Sequence, residues 1–259
     1  MAGGIVRVGV GGWTYEPWRG VFFPKGLSHK EELAYASRHL TSIEINGTFY
    51  RTQSPSTFQK WHDETPEDFV FAVKAPRYVT HRRALSEAGE AVQIFMKSGV
   101  EVLGRKLGPI NWQLPETRKF DAEDFEQFLK LLPTGFLHAV ELRHETFKCE
   151  ECVSLARSYG VAIVLSGDSK HPLIPDPTAP FAYVRIMGTE EGEALGYPED
   201  RLDAWAHRVK ELATGNEPTG LPLVSSEPVE RKDRDVFLYV ISGFKQANPS
   251  AAMAIIDRI

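Results

Sequence analysis

This chain of 259 residues predicts an α/β fold, a single parallel (β/α)8 barrel of the TIM type. Three observations carry that expectation. Short β-branched and aromatic runs alternate with helix-periodic segments, the runs number eight, and the length lies near the ~250 residues such a barrel needs. An open nucleotide-binding sheet fits less well, because GVGGWTY after the first run lacks the glycine spacing of a phosphate fingerprint and leads into aromatics instead of a helix.

The elements follow in order. IVRVGV from Ile5 reads as the first strand, HKEELAYASRHL (29–40) as the helix behind it, and SIEIN from Ser42 as the second strand, followed by the helical STFQKWHDE (56–64). FVFAVKA from Phe69 and PINWQL from Pro109 supply the third and fourth strands. In AEDFEQFLKLL (122–132), Phe125, Phe128, Leu129 and Leu132 fall three and four apart and mark one buried stripe. HAVELR from His138, CEECVSLARSYG (149–160), VAIVLS from Val161 and FAYVRI from Phe181 continue the alternation. EDRLDAWAHRVKEL (199–212) and VFLYVI from Val236 complete it. Residues 214–235 carry three prolines and little periodicity, and read as a long surface loop before the last strand. The whole of 1–259 is therefore expected to form one domain.

Composition narrows the function classes. With 42% apolar and 25% charged residues the chain is ordinary for a soluble globular protein. A net charge of -5 argues against a surface built wholly for nucleic acid, although a local basic patch is compatible with it. No stretch approaches the ~20 apolar residues a membrane span needs, and MAGGIVRVGVGG lacks the charged start and apolar run of a secretory signal. The expectation is a cytoplasmic protein with no membrane partner; its oligomeric state is left open. Cys149 and Cys152 are too few for a disulfide framework, open a helix, and have no second pair to complete a zinc site. They read as thiols without a function.

Active sites of TIM barrels gather at the C-terminal ends of the strands. Here those ends are polar almost throughout. The first offers Trp13, Tyr15 and Trp18, the second Glu44, Asn46 and Tyr50, and the third Lys74 with Arg77 and His81 beyond it. Asn111 and Gln113 end the fourth, Glu141, Arg143 and His144 the fifth, Ser166 and Asp168 the sixth, and Arg185 the seventh. Period-two alternation places Glu44 with Asn46, Glu141 with Arg143, and Tyr183 with Arg185 on common faces. A purely structural account would pair Glu44 with Lys74 and Glu141 with Arg143 to close the barrel end. A functional account makes the same groups the wall of one shared cup.

The blocks GVGGWTYEPWRGVFFP, IEINGTFYRTQSPSTFQKW, FAVKAPRYVTH, KLGPINWQLP and AVELRHETF, in this order, resemble the signature blocks of the YecE-like family, catalogued as domain of unknown function seventy-two. The resemblance implies a TIM-type barrel and supplies no activity. It weakens in the second half. Phe147 stands where the family pattern has tryptophan, Met187 replaces a histidine after Arg185, and ISGFKQANP replaces an asparagine-rich turn.

Arginine forks suit phosphate and carboxylate oxygens, and a buried glutamate can serve as general acid or base. The expected function is an enzyme, a hydrolase or lyase, acting on a small anionic ligand. Glu44, Glu141 and His81 are its candidate catalytic groups, and Trp13, Tyr15, Asn46, Tyr50, Lys74, Gln113, Arg143, Asp168 and Arg185 its candidate binding groups. Arg82 and Arg83 read as a solvated loop. A divalent-metal phosphodiesterase or endonuclease-like barrel is the alternative, with Glu44, His81, Glu141 and Asp168 as ligand types, but the interleaved cations oppose a metal and none is assigned. Nucleic acid is accordingly the less favoured partner. A glycosidase would use the same carboxylates with stacking aromatics, and a barrel that binds a small ligand or a partner without transforming it is a further alternative. No organic cofactor motif is present, and the cofactor is left open.

Overall fold

The computed structural model describes residues 3–259. Among them nine strand segments run parallel in one sheet: β1 (Val6–Gly11), β2 (Ser42–Ile45), β3 (Val70–Lys74), β4 (Leu107–Gln113), β5 (His138–Glu141), β6 (Ala162–Ile163), β7 (Leu165–Gly167), β8 (Phe181–Ile186) and β9 (Asp235–Val240). Their spatial order is β6-β5-β4-β3-β2-β1-β9-β8-β7. The two ends of that order are neighbours in sequence. β6 pairs with β5 and β7 with β8, while Val164 between them donates its amide to the Val140 carbonyl at 2.9 Å. The run VAIVLS, expected as one strand, is thus divided between two partners, and through it the sheet closes into a barrel of eight ribbons.

The helices on the outside are α1 (Glu32–Ala36), α2 (Gly47–Tyr50), α3 (Pro55–Asp63), α4 (Arg77–Thr80), α5 (Gly89–Met96), α6 (Ala122–Leu131), α7 (Glu150–Ser158), α8 (Glu199–Ala213) and α9 (Asn248–Ile256). α3 begins where Ser54 accepts a hydrogen bond from the Thr57 amide and Pro55 occupies the first turn. Asp121 caps α6 in the same way through the Asp124 amide. α9 has no counterpart in the sequence reading. Its residues NPSAAMAII are apolar nearly all round and bury Ala251, Ala252, Ala254 and Ile255, so no polar face contrasts with a buried one.

Alternation along each strand separates two cores. Ile43 and Ile45 point outward and join the helices in one large cluster. The inward residues Val70, Ala72, Ala139, Val164, Tyr183 and Tyr239 belong to a second cluster that fills the barrel. The rings of Tyr183 and Tyr239 lie 5.2 Å apart there, and the Tyr239 hydroxyl meets that of Ser42 at 2.7 Å. Small residues on β1 make this possible. At Gly9 the chain passes so near β2 that a Cβ would stand 1.8 Å from the Ser42 carbonyl oxygen. Gly9→Ala is therefore expected to force β1 from β2 and cost about 3 kcal/mol, the upper end of ordinary overpacking. Urea unfolding measures it, and an unchanged midpoint would contradict the close approach.

Residues 214–234 contain neither helix nor strand. They are nonetheless tied down. Asp176 accepts from the Val224 and Ser225 amides, each at 2.8 Å, and Glu150 at the start of α7 accepts from the Ser226 amide and hydroxyl. Among the described residues no helix is long and apolar enough to cross a membrane.

Candidate functional site

Register decides which strand-end groups meet. On β2, Glu44 lies opposite Gly11 of β1 and Ala72 of β3, and on β4 Asn111 lies opposite Lys74. Gln113 is opposite Glu141, and Ser166 is opposite Arg185. All of these side chains turn into the barrel at its C-terminal end. Glu44 and Glu141 have no exposed surface, and Arg185 keeps only 4%.

Arg185 stands at the centre. Its Nη2 donates to Glu44 Oε1 at 3.0 Å, and its Nη1 donates to Glu141 Oε2. Arg143 grips the other oxygen of Glu141 through Nε and Nη2, at 2.8 and 2.7 Å. Asn111 Nδ2 bridges the two carboxylates at 3.3 and 3.4 Å, and the Tyr183 hydroxyl donates to Glu44 Oε2 at 2.6 Å. Burial alone would raise the pKa of Glu141, but Arg185, Arg143 and Lys74 outweigh it and hold the value at about 2. Burial, with Glu44 alongside, pushes the Tyr183 phenol far above its ordinary range.

Lys74 is placed differently from the sequence expectation. Because Glu44 lies opposite Ala72, Lys74 sits one pleat higher, and among the described residues no carboxylate comes within 4.0 Å of its ammonium. The expected Glu44–Lys74 pair is absent and Arg185 from across the barrel takes its place, whereas the expected Glu141–Arg143 pair is present. The Lys74 ammonium faces the Phe49 ring, 4.3 Å from its centroid. Burial, then the charge of Arg185, lower its pKa from 10.5 to about 8, against an opposing pull from Glu141 and Glu44. Four polar atoms in the cup are buried without a partner among the described residues: Asn111 Oδ1, Gln113 Oε1, Ser166 Oγ and Arg185 Nε.

The remaining predicted residues lie around this cup or away from it. His81 is on the rim, its ring edge-on to that of Phe49 with the centroids 5.5 Å apart. Its pKa is lowered by burial and then by Arg77, Lys74 and Arg143. Asn46 faces the bare Cα of Gly11, where a Cβ would strike its amide. Tyr15 is half-buried beneath the Lys245 ammonium at 4.3 Å. Trp13 packs edge-on to Trp61 and beside Phe71 in the outer layer, not in the cup. Tyr50 is 75% exposed. Asp168 is turned outward: a left-handed backbone with φ 51° aims its carboxylate at the Trp205 indole, 2.8 Å away, and at Arg201. Trp13, Tyr50 and Asp168 therefore do not wall the cup as expected. Trp18 is core, packed edge-to-face against Phe22 and Phe23. Cys149 and Cys152 are free, and burial raises the Cys152 thiol well above its ordinary range.

Four participants escaped the sequence reading as site residues. Asn111 and Ser166 were legible as strand ends, and Tyr183 by its spacing from Arg185. Phe49 carried no signal at all, since an aromatic inside GTFY reads as core. Next to the cup, His81, Arg82, Arg83, Arg118 and Lys119 line an open cleft of about 510 Å³. Arg118 there is committed to the Arg82 and Arg83 carbonyls and lies 3.6 Å from Asp124.

A family described as protein of unknown function DUF72 matches residues 7–258. The UPF0759 protein YecE of Escherichia coli is 31% identical over 158 residues, 59% of this chain and 54% of that protein. The UPF0759 protein YunF of Bacillus subtilis is 36% identical over 80 residues, 30% of this chain and 27% of that protein. The chain thus spans about half or less of the curated relatives it matches. A DUF72 family protein from Thermotoga maritima superimposes with a TM-score of 0.73 at 23% identity, over 98% of this chain and 97% of the other, which establishes the shared fold.

Proposed function

The chain belongs to the DUF72 family, whose description assigns no activity, and on that premise we propose from geometry that the barrel mouth is an anion-binding active site with Lys74 as its titrating group. One observation carries the reading. Glu44 and Glu141, the two carboxylates buried in the cup, are both taken by Arg143 and Arg185, which leaves the Lys74 ammonium without a carboxylate within 4.0 Å among the described residues. A small phosphate- or carboxylate-bearing ligand supplies the counter-charge. Arg143, whose side chain is 20% exposed, offers the fork that such a ligand meets first.

The glutamates take a different part from the one expected of them. A general base works best with a pKa near the operating pH, and Glu141 at about 2 is a fixed anion that orients two guanidinium groups. Glu44 has both oxygens engaged by Arg185, Tyr183 and Asn111. Proton transfer falls to Lys74 at about 8, with His81 on the rim, and the reaction class is hydrolysis or elimination. A metal-dependent phosphodiesterase is less well supported: among the described residues no three His, Cys, Asp or Glu side chains assemble to hold an ion.

Titration calorimetry with inorganic phosphate and with oxalate tests the site. Binding is expected to weaken at least ~10-fold, about 1.4 kcal/mol, in Arg143→Gln, and to fall steeply with salt. A wild-type protein that binds neither anion would end the proposal. A screen of phosphate esters and carboxylic acids, with and without divalent metal, then tests turnover, whose rate should rise as pH passes through about 8.

A further inference from the structure

We propose that Lys74 is a covalent nucleophile that captures the carbonyl carbon of a small anionic oxo compound as an imine. The inference rests on the reading of the mouth as an anion site and names its substrate class: an oxo acid, or an aldehyde or ketone bearing phosphate.

The chain contains its own comparison. Lys106 is also buried, at 2% exposure, and its ammonium donates to the His62 carbonyl at 2.6 Å and to the Thr65 carbonyl and hydroxyl at 2.9 and 3.3 Å. That is a lysine held as a structural cation. Lys74, at 6% exposure, makes no hydrogen bond and no ion pair among the described residues. Burial and the charges of Arg185 and Arg143 disfavour the ammonium and favour the free amine, and they outweigh Glu141, Glu44 and the attraction of the Phe49 ring face. It stands at the C-terminal end of a barrel strand, where the fold places its chemistry.

The vacant polar atoms suit the intermediate. Nucleophilic addition turns a carbonyl oxygen into a hydroxyl, which both donates and accepts, and Ser166 Oγ, Asn111 Oδ1 and Gln113 Oε1 are buried in the cup with nothing to bond. The anionic end of the same molecule faces Arg143. The steps balance. The neutral amine adds its lone pair to the carbonyl carbon while the π pair moves to oxygen and is protonated, giving a carbinolamine. The first proton on that oxygen is replaced from the nitrogen, and the hydroxyl then departs as water with the second nitrogen proton, leaving the imine, which one proton from solvent converts to the iminium. One amine, one carbonyl and one proton give one iminium and one water.

Incubation with pyruvate and sodium cyanoborohydride, which delivers hydride to the iminium carbon and fixes a secondary amine, makes the adduct visible by peptide mass mapping. One adduct is expected on Lys74 and none on Lys106. Its formation should accelerate as pH rises through about 8, below the value near 10.4 at which exposed lysines become reactive. Adduct is lost in Lys74→Arg and Lys74→Met, with cooperative unfolding checked for both, and oxalate, which lacks the electrophilic carbon, protects the wild type. Calorimetry with oxalate runs in parallel. Oxalate binding without an adduct on Lys74 overturns the imine and leaves the anion site standing; neither binding nor adduct overturns both. Labelling that persists at the same level in Lys74→Arg also overturns it.

Discussion

Arg185→Met is expected to destabilise the protein at pH 7 by about 3–5 kcal/mol, the cost of removing one member of a buried ion network and stranding the others. Among the described residues Arg185 is the one charged group that touches both carboxylates, and neither carboxylate has solvent to turn to. Glu141 retains Arg143, and Glu44 retains Tyr183 and Asn111, so the fold should persist in weakened form. The loss depends on pH in a defined direction. The folded pKa of Glu141, about 2, lies below its ordinary value of 4.5. Its ionised form therefore contributes stability that is fully present above about pH 4.5 and disappears as pH falls toward 2. Without Arg185 the depression shrinks, so the gap between wild type and variant is widest at neutral pH and narrows in acid. Urea unfolding at pH 7 and pH 3 reads both quantities. A gap of equal size at the two pH values would show that lost packing, not charge, dominates.

That network was legible in part. The alternation in SIEI assigns Ile43 and Ile45 to one face and Glu44 to the other, and the same period puts Glu141 with Arg143, so the inward direction of each group follows from sequence alone. Closure into a barrel followed from counting strands. What sequence could not supply is stagger. Adjacent strands suggested Glu44 against Lys74, but the register sets Ala72 there and lets Arg185, 141 residues away, reach across the interior. Side chains just past a strand end were the other failure. Asp168 leaves the period-two pattern at a left-handed backbone and meets Trp205 on α8, a partner fixed only by how that helix packs. Trp13 likewise follows Gly12, whose φ of 77° turns the chain outward toward α3.

Lys74→Met should do the opposite of Arg185→Met: raise stability while eliminating anion binding. A folded pKa of about 8 against 10.5 means that holding the Lys74 charge in the cup costs on the order of 3 kcal/mol at pH 7. Methionine has a similar length, carries no charge, and keeps a favourable sulfur contact with the Phe49 ring in place of the cation. After subtraction of the lost cation–ring attraction, a net gain of about 1–3 kcal/mol is expected, or roughly 3–8 °C in melting temperature for a chain of this size. The sign again fixes the pH dependence. Between pH 8 and 10.5 the unfolded chain binds a Lys74 proton that the folded chain has released, so wild-type stability gains on that of the variant as pH rises and the advantage of methionine fades. Melting curves at pH 7 and pH 10, with oxalate titration beside them, measure the three effects. A lysine kept for the fold would reverse the first result: methionine would lower the melting temperature, as it should at the fully bonded Lys106. A gain in stability coupled to a loss of binding is the signature of a residue retained at the expense of the fold for what it does to a ligand.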